Sequence, residues 1–182
     1  MAILTAAEIT RAIQQNKIEI KPFRSAQLNP NSYNLTLSKT LMTYDVSQPL
    51  DLQVEPKVQE FEIPEQGYVL QPNVLYLGST NESTYTANYA PFIEGRSSIG
   101  RMGICVHITA GFGDIGFNGT WTLEITVVHP VRIYAGVEIC QLAFHTLQGD
   151  ATVRYIGKYN SQTKPKPSNI WREFKDGKYQ PR

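Results

Sequence analysis

Residues 94–125 read EGRSSIGRMGICVHITAGFGDIGFNGTWTLEI and contain the clearest pattern of secondary structure in the chain. The final part of this stretch runs on as Thr120–Val128, where apolar side chains at the odd positions from Trp121 to Val127 alternate with threonines and Glu124 at the even positions. A period of two residues predicts a β-strand with one face toward the core. By this pattern alone, Glu124 occupies the place of a solvent-facing strand residue.

The dipeptide Asn118-Gly119 just before this strand indicates a tight two-residue hairpin. Such a turn would set Asp114 opposite Leu123 and Glu124 opposite Gly113, with the two acids on opposite faces of the sheet. The two carboxylates could share a pocket only if the turn were wider or a bulge shifted the register, which the nearby glycines permit. The sequence leaves both arrangements open.

The segment Ser97–Met102 lacks strand alternation and begins with capping residues, which predicts one or two turns of helix. Backbone N–H groups at a helix start, together with serine hydroxyls and Arg96, are suited to hold phosphate oxygens. Ser97 and Arg101 stand four residues apart and share a face. The alternative is an ordinary capped helix with an exposed arginine.

Outside this window, Thr5-Ala-Ala-Glu8 is a capping box and Ile9 and Ile13 repeat on one face, so residues 5 to about 15 should form a short helix. The rest of the sequence consists of short runs rich in β-forming residues, separated by Pro, Gly and Asn. This pattern predicts an all-β sandwich or barrel. The predicted strands are residues 18–20, 33–37, 69–77, 104–108, 120–128, 131–134, 139–144 and 153–156.

At 182 residues the chain is expected to form one domain spanning 1–182. Apolar runs are too short to cross a membrane and the N-terminus lacks signal-peptide features, so we expect a soluble cytoplasmic protein without membrane contacts. Cys105 and Cys140 stand in apolar segments. They are interpreted as two buried thiols in a reducing compartment, and they exclude a cysteine-rich zinc site.

The charge is unevenly distributed along the chain. Residues 1–150 carry 9 basic and 14 acidic side chains, whereas residues 151–182 carry 8 basic and 2 acidic ones. This basic C-terminal segment is short, contains Pro165 and Pro167, and interleaves its charges with aromatic residues. We therefore interpret it as a lid that covers a small polyanion, rather than as a binding segment for a nucleic acid polymer. A solvated tail is the simpler alternative.

Several motifs in order resemble the dCTP deaminase family, which belongs to the dUTPase superfold. The resemblance spans nearly the whole chain and implies a distorted jelly-roll or β-barrel fold of the dUTPase-like type with short helices. It also implies a homotrimer with active sites shared between neighbouring subunits, and a C-terminal lid at 151–182. The motifs are Gln27–Tyr33, Glu94–Arg101, Thr109–Gly119, Leu123-Glu124, Gly136–Leu142 and Tyr155–Gln162.

The resemblance also implies roles for individual residues. Glu124 is the expected catalytic acid and base, with Arg101 and Ser97 orienting the attacking water. Arg96, Ser97 and Ser98 are expected to hold the phosphates, and Asp114 and Phe117 to support the deoxyribose. The remaining residues implied in substrate binding are Ala110, Thr122, Gln141, Tyr155, Lys158, Tyr159 and Gln162.

Replacing the C4 amino group of cytosine requires an activated water, a proton for the ring nitrogen and a proton for departing ammonia, which one carboxylate can shuttle. The Pro-Cys-x-x-Cys signature of zinc deaminases is absent, and the three histidines lack ligand spacing. His107 is interpreted as a satisfied core histidine. We therefore expect chemistry without zinc or another protein-bound metal, and Mg²⁺ that enters with the triphosphate.

The expected reaction converts dCTP to dUTP and ammonia. Ala110-Gly-Phe and Gln141 resemble the bifunctional branch, which also releases diphosphate to give dUMP, with Asp114 positioning the second water. A dUTP diphosphatase without deamination, a dCMP deaminase and a non-catalytic trimeric nucleotide-binding module stay open, as does inhibition by dTTP. The residues that depart from the family pattern are Gly113, Glu138 and Lys164.

Overall fold

Strands account for most of the regular structure in a computed structural model of the chain, which describes residues 2–180. The end of the predicted lid, Pro181-Arg182, lies outside the described residues. The helices are α1 (Ala6–Gln14) and α2 (Ser97–Gly100), with 3₁₀ turns at Ser25–Gln27 and Ile170–Glu173. The strands are β1 (Ile18–Lys21), β2 (Leu28–Asn29), β3 (Ser32–Thr36), β4 (Thr40–Tyr44), β5 (Val58–Glu62), β6 (Tyr68–Leu70), β7 (Tyr76–Thr86), β8 (Tyr89–Gly95), β9 (Ile104–Cys105), β10 (Asn118–Val127), β11 (Val131–Ile133), β12 (Glu138–Thr146), β13 (Phe174–Lys175) and β14 (Lys178–Tyr179).

Two larger sheets form the body of the fold. One has the order β5-β4-β7-β10-β9, with β1 also paired to β7, and the other has the order β2-β3-β12-β8. Two-stranded pairs β6–β11 and β13–β14 complete the set, and all pairings between the described strands are antiparallel. A single cluster of buried apolar side chains draws on both larger sheets. The predicted all-β fold is confirmed, in a jelly-roll-like form; the described strands do not close into a barrel.

The first helix follows its capping signal. The hydroxyl of Thr5 accepts the Glu8 N–H at 3.4 Å, and Ile9 and Ala12 are buried against the core. No helix within residues 2–180 combines the length and the apolar character needed to cross a membrane.

Strand β10 has the predicted faces. Trp121, Leu123, Ile125 and Val127 are buried, and Thr122, Glu124 and Thr126 lie half-buried on the other side. The β10–β7 register shifts between Thr120 and Thr122, where the Trp121 N–H donates to Thr80 Oγ1 at 3.0 Å instead of to a ladder carbonyl. The bulge therefore interrupts the pairing with β7 while the alternation toward the core is kept.

Three predicted strands differ from the structure. The run 69–77 is split into β6 and the start of β7, because Asn73 adopts a left-handed conformation with φ of 62°. Of 104–108, only Ile104–Cys105 is paired. Residues 153–156 form no strand and leave Val153 and Ile156 exposed; the Tyr155 N–H still donates to the Ile115 carbonyl.

The predicted hairpin at Asn118-Gly119 is wrong. Both residues lie inside β10, opposite Tyr85 and Thr84 of β7. The glycine serves a different purpose: its φ is +148°, and a Cβ there would lie 2.7 Å from the carbonyl oxygen of Gln162. This position must stay small because the C-terminal segment crosses directly over it.

The prediction of two buried thiols holds for one cysteine only. Cys140 is fully buried in β12, and burial raises the pKa of its thiol far above the usual value. Cys105 is exposed, because the short strand β9 is an edge strand that turns this side chain outward.

A carboxylate lies in the centre of the fold. Glu82 of β7 is 1% exposed and accepts hydrogen bonds from the Thr36 backbone N–H at 2.8 Å, from Thr36 Oγ1 at 2.9 Å and from Gln27 Nε2 at 2.9 Å. Thr36 belongs to β3 in the other large sheet. Glu82 therefore joins the two sheets through polar contacts inside the apolar core.

We predict that Glu82→Ala lowers the free energy of unfolding by about 3 kcal/mol or more, because it leaves several buried donors without an acceptor. Chemical denaturation measures this change. Glu62→Ala is the control, since the side chains of its ion pair are exposed, Lys39 at 66% and Glu62 at 62%, and the pair should contribute less than about 1 kcal/mol. Equal losses in the two variants would contradict the role given to Glu82.

Candidate active site

A cavity of about 210 Å³ opens on the half-buried face of β10. It contains two of the three acids of residues 94–125, Asp114 and Glu124, and is closed on one side by the C-terminal segment. Its lining residues are Ala110, Phe112, Gly113, Asp114, Phe117, Trp121, Thr122, Glu124, Tyr155, Tyr159, Gln162 and Lys166.

The Glu124 carboxylate is held in a fixed orientation. Oε2 of Glu124 accepts a hydrogen bond from the backbone N–H of Ile108 at 2.8 Å, and the backbone N–H of Glu124 donates to the Val106 carbonyl at 3.0 Å. These two contacts bring residues 106–108 alongside β10 beyond the end of β9. The carboxylate is therefore half-buried and anchored through one oxygen, rather than extended into solvent.

The loop from Val106 to Phe117 bends away from β10 and pairs with β8. Ile93 N–H donates to the Gly111 carbonyl at 2.7 Å, and Gly113 N–H donates to the Pro91 carbonyl at 2.9 Å. This path forms the wide turn that the sequence left open as an alternative to the hairpin. Asp114 consequently reaches the same cavity as Glu124.

The C-terminal segment pairs with the first part of β10. Ser161 N–H donates to the Asn118 carbonyl at 2.6 Å, and Thr120 N–H donates to the Gln162 carbonyl at 2.9 Å. The Gln162 side chain is buried, and its Nε2 donates to Thr120 O at 2.7 Å and to Thr122 Oγ1 at 3.1 Å. The segment is thereby fixed as one wall of the cavity.

Two tyrosine hydroxyls anchor the same segment further along. Tyr44 Oη accepts the Ser168 N–H at 2.9 Å, and Tyr159 Oη accepts the Asn169 N–H at 2.9 Å. Burial raises the pKa of the Tyr44 hydroxyl, in spite of the opposing effect of the Ser168 hydrogen bond. Tyr44 therefore stays a neutral acceptor at physiological pH.

Aromatic rings form the apolar side of the cavity. The Phe117 ring lies 5.1 Å from the Trp121 ring and 6.0 Å from the Tyr155 ring, measured between centroids. Tyr155 is placed there because its N–H donates to the Ile115 carbonyl at 2.8 Å. A flat ring system beside two carboxylates is suited to a sugar and a heteroaromatic base.

The structure brings most of the predicted site residues to this cavity. Those that line it are Ala110, Asp114, Phe117, Thr122, Glu124, Tyr155, Tyr159 and Gln162. Those that do not line it are Arg96, Ser97, Ser98, Arg101, Gln141 and Lys158.

The residues outside the cavity have other surroundings. Ser97, Ser98 and Arg101 are exposed on α2 or at its end. Arg96 forms an ion pair with Glu138, Gln141 bonds to Ser32 and Gly95, and Lys158 pairs with Glu173. Their assigned roles in catalysis and phosphate binding stay predictions.

Sequence reasoning missed or misjudged several residues. Trp121 was assigned to the core alone, yet its ring also lines the cavity, and Lys166 gave no signal in a proline-rich tail. His107 is not a satisfied core histidine: it is partly exposed, its Nε2 lies 3.4 Å from Glu94 Oε2, and its buried Nδ1 has no hydrogen-bond partner. Within residues 2–180, no group of three or more His, Cys, Asp or Glu side chains is arranged to hold a metal ion.

Comparisons with known proteins address the family directly. A sequence model described as dCTP deaminase-like matches residues 3–147. The chain belongs to this family. A Leptospira biflexa protein named "dCTP deaminase, dUMP-forming" is 49% identical over 172 residues, covering 94% of this chain and 98% of that protein. A protein of the same name from Clostridium acetobutylicum is 48% identical over 172 residues, with the same coverage of both chains.

A solved structure supports the fold independently. The crystal structure of 2'-deoxycytidine 5'-triphosphate deaminase from Agrobacterium tumefaciens matches with a TM-score of 0.60 at 22% identity. The match covers 79% of this chain and 48% of that one, so this chain corresponds to about half of that protein. At this identity the likeness extends to the fold only.

We predict that Gly113→Ala disturbs the cavity, because the new Cβ would lie 2.3 Å from Trp121 Cη2 and 2.9 Å from Pro91 Cγ. Such overpacking should cost about 1–3 kcal/mol of unfolding free energy and move the Trp121 ring. Denaturation and tryptophan fluorescence in a Trp171→Phe background measure both effects. Gly95→Ala is the control for stability, since its Cβ would meet Val106 at an ordinary 3.6 Å; an unchanged Trp121 signal in Gly113→Ala would refute this packing.

Proposed function

We propose that this protein is a cytoplasmic dCTP deaminase that also forms dUMP. The observation that carries the proposal is the Glu124 carboxylate, held at 2.8 Å by the Ile108 N–H in a cavity shared with Asp114 and an aromatic wall. The names of the relatives at 48–49% identity point to the same activity. The proposal accounts for the alternation that places a carboxylate among threonines on an otherwise ordinary strand.

In this proposal Glu124 carries protons between water, the ring nitrogen N3 and the departing C4 amino group. A carboxylate positioned for proton transfer contributes on the order of 10²–10⁴-fold in rate. Thr122, Ala110 and Phe117 line the same cavity as Glu124. In this proposal the first two lie beside the pyrimidine, and the ring of Phe117 packs against the deoxyribose. Each of these residues acts by holding the substrate at the proton carrier.

The proposed site needs residues from a second copy of the chain. Ser97 and Arg101, expected to orient the water, are exposed at the start of α2 and directly after its end, outside the cavity. Large apolar side chains are exposed close to α2 and along the loop that borders the cavity: Met102, Ile108, Phe112 and Val128. Exposed large apolar side chains next to a functional site favour assembly, and we propose a homotrimer in which α2 of one subunit completes the cavity of its neighbour.

For the second step we propose that Asp114 positions the water that attacks the α-phosphate of dUTP, which releases diphosphate and dUMP. Magnesium is part of the substrate in this proposal, bound by phosphate oxygens and water. The phosphates are assigned to Arg96 directly before α2, to Ser97 and Ser98 of α2 and to Gln141, with Lys158 and Tyr159 contributed by the C-terminal segment.

Incubation of the protein with dCTP and Mg²⁺ should yield ammonia, dUMP and diphosphate. In Glu124→Gln the rate of ammonia release should fall by about 10²-fold or more while dCTP still binds, because the amide cannot shuttle protons. Glu19→Gln, at an exposed pair with Lys21 on β1, is the matched control and should keep normal turnover.

The products separate the alternatives. Formation of dUTP without dUMP would leave a deaminase that stops after the first step. Cleavage of dUTP without ammonia from dCTP would favour a plain dUTP diphosphatase, and binding without turnover would favour a nucleotide-binding module. Preference for dCMP over dCTP would favour a monophosphate deaminase.

Mixing two inactive variants tests the shared site. Glu124→Gln and Arg101→Ala should each be inactive as homotrimers, whereas random mixed trimers should regain about a quarter of the wild-type sites, because each intact site then takes Glu124 and Arg101 from different chains. Ammonia release after dissociation and reassembly measures the recovery. No recovery in confirmed mixed trimers would place both residues in the same subunit's site.

A further inference from the structure

The segment Asn29-Pro-Asn-Ser-Tyr-Asn34 connects β2 to β3 and has no role in the function described so far. Ser32 and Asn34 are buried, although both are polar. They point to the face of the four-stranded sheet opposite the core residues Tyr33 and Leu35, next to β12. Buried polar side chains are usually fixed by hydrogen bonds, and these lead to two residues assigned to the triphosphate.

The first path leads to Arg96. Asn29 Nδ2 donates to Asn34 Oδ1 at 2.7 Å, and Asn34 Nδ2 donates to Glu138 Oε2 at 2.7 Å. Glu138 in turn holds the guanidinium of Arg96, through its Oε2 at 3.1 Å from Nη2 and through its backbone carbonyl, which accepts from Nη1 at 2.8 Å. Asn29, Asn34 and Glu138 thus form a continuous relay to the residue that precedes α2.

The second path leads to Gln141. Ser32 Oγ donates to Gln141 Oε1 at 2.9 Å, and Gln141 Nε2 donates to the Gly95 carbonyl at 3.3 Å. The same short segment therefore fixes Gln141 on β12 and, through Glu138, Arg96 directly after the end of β8. A role confined to turn formation would not require contacts to both.

We propose that Glu138 is a positioning residue for triphosphate binding, held by Asn34 and acting through Arg96. The proposal rests on the assignment of Arg96 to the phosphates. A guanidinium has five N–H donors in a planar fork, and the two contacts to Glu138 fix that plane while using two of them. A phosphate then meets an arginine whose side chain is already ordered, so less conformational entropy is lost on binding.

A carboxylate close to a triphosphate also repels it, and the two effects of Glu138 can be separated by substitution. Glu138→Gln keeps the shape and an acceptor for Asn34 and Arg96 but removes the charge. Glu138→Ala removes the charge and the side-chain contacts to Asn34 and Arg96, and leaves only the backbone carbonyl contact to Arg96. If positioning dominates, the alanine variant binds the triphosphate more weakly and the glutamine variant binds it at least as well as the wild type.

The experiment measures binding of the non-hydrolysable analogue dUpNHpp with Mg²⁺ to the full chain, together with dCTP turnover. We expect Glu138→Ala to raise the dissociation constant about tenfold, the size of one charge-assisted contact, and to raise KM for dCTP with kcat nearly unchanged. Glu138→Gln should restore binding. In an Arg96→Ala background, Glu138→Ala should have no further effect, because the two residues act as one unit.

Glu62→Gln, in an exposed pair on β5, is the control and should bind like the wild type. Wild-type affinity in Glu138→Ala, additive losses in the double variant, or tighter binding in both Glu138 variants would each overturn the proposal. A wild-type protein that binds dUpNHpp but releases no ammonia from dCTP would instead refute the proposed function. The double-variant comparison would still test the relay in that case, because it depends only on binding.

Discussion

The buried carboxylate of Glu82 is the constraint on which the arrangement of the two sheets depends. It accepts from both the backbone and the hydroxyl of Thr36 and from the amide of Gln27, and it has no basic partner among its hydrogen-bonded contacts. A buried acceptor of this kind fixes the position of its donors, since displacement would leave polar groups without partners in an apolar core. Gln27 also donates to the Asn34 carbonyl at 2.8 Å, so β3 is held at Asn34 as well as at Thr36.

This constraint explains why part of the sheet was not predictable. The stretch Gly78–Thr86 of β7 is dominated by Ser, Thr, Asn and Glu, yet Ser79, Thr80, Glu82 and Thr84 are all buried. A hydrophobic pattern cannot indicate such a strand, because its polar groups are satisfied by residues far away in sequence. Strand β10 was predictable, because its alternating apolar residues pack on the core and its pattern is local. The capping box of α1 was predictable for the same reason.

In the candidate site, too, features set by local sequence were predictable and features set by distant residues were not. The alternation on β10 and the ordered motifs identified most residues that line the cavity. The incorrect hairpin at Asn118-Gly119 arose because the dipeptide is a strong local turn signal, whereas the structure uses the glycine for close approach of Gln162, a residue 43 positions further along the chain. That contact and the pairing of residues 111–113 with β8 depend on the tertiary fold. No local pattern reports either one.

The two halves of the proposed site are held by separate networks within one chain. Glu124 and the cavity wall are fixed by the loop 106–117 and by pairing of the C-terminal segment with β10, while Arg96 at the start of α2 is fixed by Glu138 and Asn34. Glu124 and Arg96 are therefore each held by contacts within a single chain. Because the Glu124 and Arg96 side chains are already held, the proposed interface loses little conformational entropy at these two residues when it places a proton carrier from one subunit against phosphate ligands from another. The polar relay behind Arg96 and the anchored carboxylate at Glu124 answer the same physical requirement, which is that both sides of a shared site be rigid on their own.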